Sequence, residues 1–263
     1  MRSETVMVVV SDLHCGSTVG LCPPDYPMLD DGHWKLNPVQ RWIWDNWVEF
    51  VHWVDEYTKG RDYVLLVNGD AIEGVHHGTK QIVHADTGVH ISIAVDCLRP
   101  LAAKASRTYV VRGTGAHVGH SSEHAIGRAL NAVDVDGVYA QQHQMFRVAS
   151  TIVSAKHHIP ATSRRALRGS ALSIHLEEER AECAAAGWQM PDLVVRSHRH
   201  VYGHYESENA SIIVTPAWQT LTDHGWKVVP SAIPSIGGVI VDWAYTGKPV
   251  VLPWTRKPKR SEV

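Results

Sequence analysis

Five short clusters of aspartate and histidine along the chain have the types and spacing to do metal chemistry. They are Asp12-Leu13-His14, Asn68-Gly69-Asp70, Gly113-Thr114-Gly115-Ala116-His117, Lys156-His157-His158 and His198-Arg199-His200. Together they offer two carboxylates and at least four imidazoles. That mixed nitrogen and oxygen set suits Mn²⁺, Zn²⁺, Fe or Ni²⁺ and suits Ca²⁺ poorly. In D-x-H and H-x-H the side chains stand two residues apart, so an extended backbone points both at one spot. Gly69 permits the sharp turn that presents Asp70. One shared carboxylate with ligands on either side describes two ions roughly 3.5–4 Å apart, the clamp used for in-line displacement at phosphorus.

Such clusters need elements to hold them, and each follows a stretch that reads as a β-strand. β-branched runs occur at residues 5–11, 63–67, 108–112, 151–155, 193–196, 211–215 and 238–241. In α/β sheets the edge beyond the strand ends is where ligands bind. Amphipathic spacing predicts helices over 40–57, with Trp44, Trp47, Val48, Val51 and Val54 inward, and over 89–105, 123–133 and 171–186. Strand and helix alternate early and strands dominate late, which predicts an α/β fold of two packed sheets covered by helices. Residues 18–38 carry no periodicity and read as a long surface loop. A single domain is expected over 1–255, followed by a basic, flexible tail at 256–263.

Composition narrows the rest. Of 263 residues 44% are hydrophobic and 20% charged, enough apolar material for a sizeable core. The net charge of −2 argues against a general electrostatic grip on nucleic acid, leaving a local basic groove as the alternative. Four cysteines without C-x-x-C spacing read as reduced thiols of a cytoplasmic protein. The apolar run from Val6 to Val10 is too short for a signal peptide or a membrane span.

The order D-x-H, G-D, G-x-x-x-H, H and H-x-H, spread from Asp12 to His200, resembles the calcineurin-like metallophosphoesterase family. The resemblance implies a four-layer sandwich of two mixed sheets flanked by helices, with the site at one end of the sheets. It also implies a pair of divalent ions, with manganese favoured over zinc, iron or nickel. Asp12, His14, Asp70 and His200 would hold the first ion. Asp70 would bridge to the second, held also by His198 and by either His157 or His158, with His157 preferred. The family's third motif reads Gly-Asn-His, with asparagine on the second ion. Here Thr114 stands at that place and the histidine comes later, as His117. The Gly-Thr-x-x-His form resembles a phage-associated branch of the family. On this reading His117 is the acid that protonates the leaving oxygen, and the alternative is a metal ligand replacing the asparagine.

The implied activity is hydrolysis of a phosphodiester, of nucleic acid or a smaller molecule, by in-line attack of a metal-activated hydroxide. A phosphomonoesterase or protein phosphatase is the runner-up, and a metal-binding scaffold with a decayed site is the reading from another class. Glu73, His76, His77, His120 and His124 are candidates for the pocket wall, and the segment 215–219 could equally form the pocket's rim or part of the core. Arg112, Arg196 and Arg199 are candidate phosphate partners, although Arg199, between two inward ligands, should point away. Trp34 and Trp42 could stack a nucleobase, and the Trp-rich helix could form a contact between copies of the chain.

Overall fold

The computed structural model describes residues 5–76, 78–119, 121–159, 168–223, 225, 235–244 and 248–258. His77, His120 and the tail beyond 258 lie outside the described residues. In chain order the first half contains β1 (Val6–Val10), β2 (Tyr26–Pro27), β3 (His33–Trp34), α1 (Pro38–Thr58), β4 (Tyr63–Asn68), α2 (Thr87–Ala102), β5 (Ala105–Val111), α3 (Gly115–Val118) and α4 (Ser122–Ala129). Then come β6 (Gln144–Val148), β7 (Thr151–Ala155), α5 (Arg168–Ala185), β8 (Leu193–Arg196), β9 (Gly203–Glu206), β10 (Ser211–Val214), β11 (Ile236–Asp242) and β12 (Val250–Arg256).

Two mixed five-stranded sheets result, ordered β12-β11-β1-β4-β5 and β6-β7-β8-β10-β9. β1, β4 and β5 are mutually parallel in the first, as are β7, β8 and β10 in the second. Side-chain alternation assigns the layers. Met7, Val9, Val64 and Leu66 meet Val153, Leu193, Val195 and Ile213 in the core between the sheets. Val6, Val8, Val10, Leu65 and Val67 face the other way, into a core shared with α1, α2 and α4. Val194, Ile212 and Val214 face Leu172 and Leu176 of α5. The expected two-sheet sandwich flanked by helices is the observed fold.

Some details differ. Asn37 caps α1 by accepting from the Gln40 amide, and Pro38 occupies the first turn, so the helix starts two residues before residue 40. Its fully buried stripe is Ile43, Trp47, Phe50 and Val54; Trp44 and Val51 pack half-buried against the same core, and only Val48 of the expected inward residues is exposed. The segment 18–38 is not simply a surface loop. It carries the β2/β3 hairpin, buries Leu21 and Cys22, and is tied down where Asn37 donates to the Thr18 carbonyl at 2.7 Å. α2 ends at Ala102 and β5 begins at Ala105, displacing both expected boundaries. Strands β6, β9 and β12 were not expected. They are sheet edges with polar or proline-containing sequences, and Pro253 sits in β12, where an edge tolerates its missing N–H. Arg256 belongs to β12 rather than to a tail.

Arg196, at the end of β8, is fully buried and cannot reach a substrate. It pairs with Glu179 of α5 at 2.9 Å, and the same carboxylate takes Lys156 at 2.8 Å and the Ser154 hydroxyl at 2.7 Å. Burial opposes ionisation of Glu179, but Arg196 and then Lys156 bring its carboxyl down to about 2. The contribution is therefore present above the ordinary carboxylate range and lost as pH falls through about 2. Glu179→Ala strands the Arg196 charge, and urea unfolding at neutral pH should show a loss of about 3–5 kcal/mol.

Candidate metal centre

The site is built where β1, β4, β5, β7 and β8 end. Asp12, His14, Asp70, His198 and His200 all have positive φ, between 45° and 70°. The pairs two apart thus converge through left-handed turns and not through an extended strand, as the sequence spacing alone suggests. Such backbone costs on the order of 1–3 kcal/mol per residue and needs outside support. That support is a ladder continuing past the strands: the Asp12 amide donates to Gly69 O at 2.9 Å, His14 to Asp70 O at 3.0 Å and Cys15 to Ala71 O at 3.1 Å. The Trp218 amide donates to Asp12 O at 2.9 Å, so the segment 215–219 buttresses the site from behind instead of forming its rim.

At the centre lie Asp12, Asp70 and His157, all buried, with ligand atoms within 4.8 Å of one another. Ser11 donates to Asp12 Oδ2 at 2.6 Å, and Asp12 Oδ1 is buried with no hydrogen-bond partner among the described residues. His157 donates from Nδ1 to the Asn68 carbonyl at 2.8 Å, which aims Nε2 inward. That nitrogen lies 3.0 Å from Asp70 Oδ2 and 3.8 Å from Asp12 Oδ1 yet hydrogen-bonds to neither. Burial alone would lower the His157 pKa, but Asp12 and Asp70 outweigh it and push the imidazole up to about 10. Burial raises the two carboxyls, and His157, joined by His200 at Asp12 and by His14 at Asp70, outweighs it and holds both below their usual range.

On one side, Asp12, His14 and His200 form a donor set. His200 Nε2 is 3.3 Å from Asp12 Oδ1 and 3.2 Å from His14 Nε2. Glu73, considered for the pocket wall, is instead buried behind His14. Its Oε2 lies 2.9 Å from His14 Nδ1 and accepts from Gln219 at 2.8 Å, while Oε1 is 3.1 Å from His76. This is the carboxylate-histidine support common behind metal ligands. His117 donates from Nδ1 to the Glu73 carbonyl at 2.9 Å and packs edge-on against His14 and His76. Burial and the adjacent His14 lower its pKa.

On the other side, His157, His158 and His198 form a second set. The expectation that only one of His157 and His158 can face inward fails, because β7 ends at Ala155 and alternation does not continue beyond it. Both rings pack on His198, at 5.2 and 4.7 Å. Thr114 donates through its amide to Asp70 Oδ1 at 2.6 Å and through its hydroxyl to Oδ2 at 3.0 Å. The same hydroxyl oxygen lies 3.3 Å from both His158 Nε2 and His198 Nδ1. His117 lies on the His14 side, where its ligand atom groups with those of His14 and Glu73, and not beside Thr114. Burial, with the His157 charge, brings His198 down to about 4 and lowers His158, keeping both imidazoles neutral as ligation requires.

Glu123 opens the helix expected over residues 123–133. It is buried beside Asp70, accepting from the amides of Gly113 and Ala71, and burial followed by Asp70 pushes its carboxyl up to about 7. An acid ten residues beyond Gly113 gave no motif signal. His124 points elsewhere, accepting from the Tyr139 amide, and Arg112 donates to the Gly119 carbonyl. Trp34 and Trp42 are half-buried against the helix-side core, and Trp34 donates to Gln40, so neither is presented as a free stacking platform.

No known protein-family profile matches the chain, and no curated protein matches its sequence. Solved structures resemble it remotely. A novel archaeal phosphodiesterase aligns over 95% of this chain and 99% of its own, at 7% identity and a TM-score of 0.46. Wild-type Vps29 complexed with zinc, from Entamoeba histolytica, aligns over 96% and 98%, at 11% identity and a TM-score of 0.43. Resemblance this distant assigns no activity, and the site is read from its own residues. Among the described residues no helix is long and apolar enough to cross a membrane.

The two unpartnered inward atoms, Asp12 Oδ1 and His157 Nε2, and the surrounding imidazoles fit divalent transition ions. His157, charged at neutral pH without metal, must lose its proton to ligate. Its raised pKa means that this competition persists until pH exceeds about 10. Titrating the metal-free chain with Mn²⁺ in buffers of different ionisation enthalpy should reveal proton release at pH 7, with apparent affinity rising as pH increases.

Proposed function

We propose that the chain is a metal-dependent phosphoesterase acting on phosphodiesters, of nucleic acid or of a smaller molecule. What carries the reading is convergence: two buried carboxylates, five imidazoles and the Thr114 hydroxyl arrive from five strand ends at one place. Asp12, His14 and His200 would hold one divalent ion. Asp70, His157, His158 and His198 would hold another, with Thr114 beside it. Manganese is the first candidate, and zinc, iron and nickel share the donor preference. Bound there, the ions would neutralise phosphoryl oxygens and lower the pKa of water toward neutrality.

The chain's own residues supply the rest. Asp70 lies between the two donor sets, its orientation fixed by both hydrogen bonds from Thr114. Glu73 orients His14, and Asn68 orients His157. His117, anchored through Nδ1 to the Glu73 carbonyl, would protonate the leaving oxygen from Nε2 as the imidazolium, a form that its lowered pKa confines to the acid side, and such general acid catalysis is typically worth about 10²–10⁴ in rate. The preference for diesters rests on the Gly-Thr-x-x-His segment at 113–117.

Turnover of bis-nitrophenyl phosphate with Mn²⁺ should exceed that of the mono ester, and Asp70→Asn should reduce it by more than about 100-fold. Activity retained in Asp70→Asn would remove the two-ion reading. Faster monoester turnover would reassign the substrate class, and fractional metal content without turnover would mark a decayed scaffold. For His117→Ala, the rate should fall far more with an alkyl leaving group, which needs a proton, than with nitrophenolate, which does not. An equal fall on both would make His117 a supporting residue and not the acid.

A further inference from the structure

Glu123 has no place in the ligand set, yet it touches the backbone of the two turns on which Asp70 and Thr114 stand. Its Oε2 accepts the Gly113 amide at 2.5 Å and its Oε1 accepts the Ala71 amide at 3.2 Å. Gly113 immediately precedes Thr114, and Ala71 immediately follows Asp70. The two turns are in close contact, because a Cβ on Gly113 would run into the Asp70 carboxylate and its backbone nitrogen. Ala71 also accepts the Cys15 amide, which links the same staple to the turn that carries Asp12 and His14. One buried side chain from α4 therefore helps set the separation of the β4 and β5 ends just beyond their last paired residues, Asn68 and Val111. That separation decides whether the Thr114 amide and hydroxyl reach the two Asp70 oxygens, at 2.6 and 3.0 Å.

We infer that Glu123 is a positioning residue of the metal centre, acting through the Ala71 and Gly113 amides to hold Asp70 and Thr114 in ligating register. The inference rests on the phosphoesterase reading for its purpose but not for its geometry. A carboxylate is required because both partners are donors. Glutamine keeps the volume and offers only one acceptor oxygen, since its NH₂ cannot accept.

Three measurements on Glu123→Gln test this: the thermal midpoint, hydrogen exchange at the Ala71 and Gly113 amides without metal, and Mn²⁺ affinity by calorimetry. The expected result is a folded variant in which at least one of the two amides exchanges about tenfold faster or more. Mn²⁺ should bind 10- to 100-fold more weakly at the position that includes Asp70, the usual cost of losing a supporting group. The position formed by Asp12, His14 and His200 should change much less, a split that general loosening would not produce. Unchanged exchange together with wild-type Mn²⁺ affinity at both positions would overturn the inference. If the glutamine variant fails to fold, Glu123→Asp keeps the carboxyl group, shortens the reach, and should show the same split. If the wild-type chain takes up neither Mn²⁺ nor Zn²⁺, Fe²⁺ or Ni²⁺, the phosphoesterase reading falls. The staple is then decided by the exchange of the two amides alone.

Discussion

Asp12 and Asp70 are two carboxylates with almost no contact with water and with oxygens within 4.8 Å of each other. At an effective dielectric of 20, two like charges at that separation repel by about 3 kcal/mol, before the cost of taking each from water. Much of the surrounding structure serves to make this tolerable. Ser11, Thr114 and the His198 amide satisfy some of the oxygens, and the protonated His157 supplies a positive charge between them. The polar residues nearby are arranged to support those groups in turn. Asn68 bonds His157 through its carbonyl, and its side chain holds Ser197 and the Lys156 carbonyl. Buried negative charge is thus the constraint to which five strand ends are fitted. It also explains why a site of this kind would favour cations over any neutral ligand.

Support for the site is layered. The first sheet contributes acids on turns that would be unfavourable in isolation, and hydrogen bonds between neighbouring strand ends keep those turns in place. The second sheet contributes imidazoles, whose strands are braced from outside by Glu179 acting on Ser154, Lys156 and Arg196. Two buried ionic arrangements therefore lie on opposite sides of β7 and β8. One is an ion-pair cluster closed around Glu179, and the other gathers two carboxylates and several imidazoles at one place.

Much of this was legible in the sequence. Apolar runs marked the central strands, and the Asp/His clusters just beyond them marked the site's edge. What was not legible followed from tertiary contacts. The inward stripe of α1 is centred slightly differently from its apolar spacing, on Ile43, Trp47, Phe50 and Val54 with Val48 outside, because contact with Trp218 and Trp254 favours the stripe carrying Trp47 and Phe50. The edge strands β6 and β9 lack a long apolar run, and that of β12 is interrupted by Pro253. Alternation misled at His157 and His158, since the strand had already ended. Glu73 and Glu123 could not be assigned from spacing, because their roles come from groups brought close by folding: His14 and Gln219 for one, and the Ala71 amide for the other.

β1 is apolar along its whole length, with Val6, Val8 and Val10 in one core and Met7 and Val9 in another. A slip of one residue would exchange the two sets without bringing any apolar group into water, so burial alone specifies its register weakly. What distinguishes the correct alignment is its polar end. Only there do the Asp12 and His14 amides meet Gly69 and Asp70, while Ser11 reaches Thr215 at 2.6 Å. The residues that give the chain its chemistry thus also act as the registration mark by which its central strand is aligned.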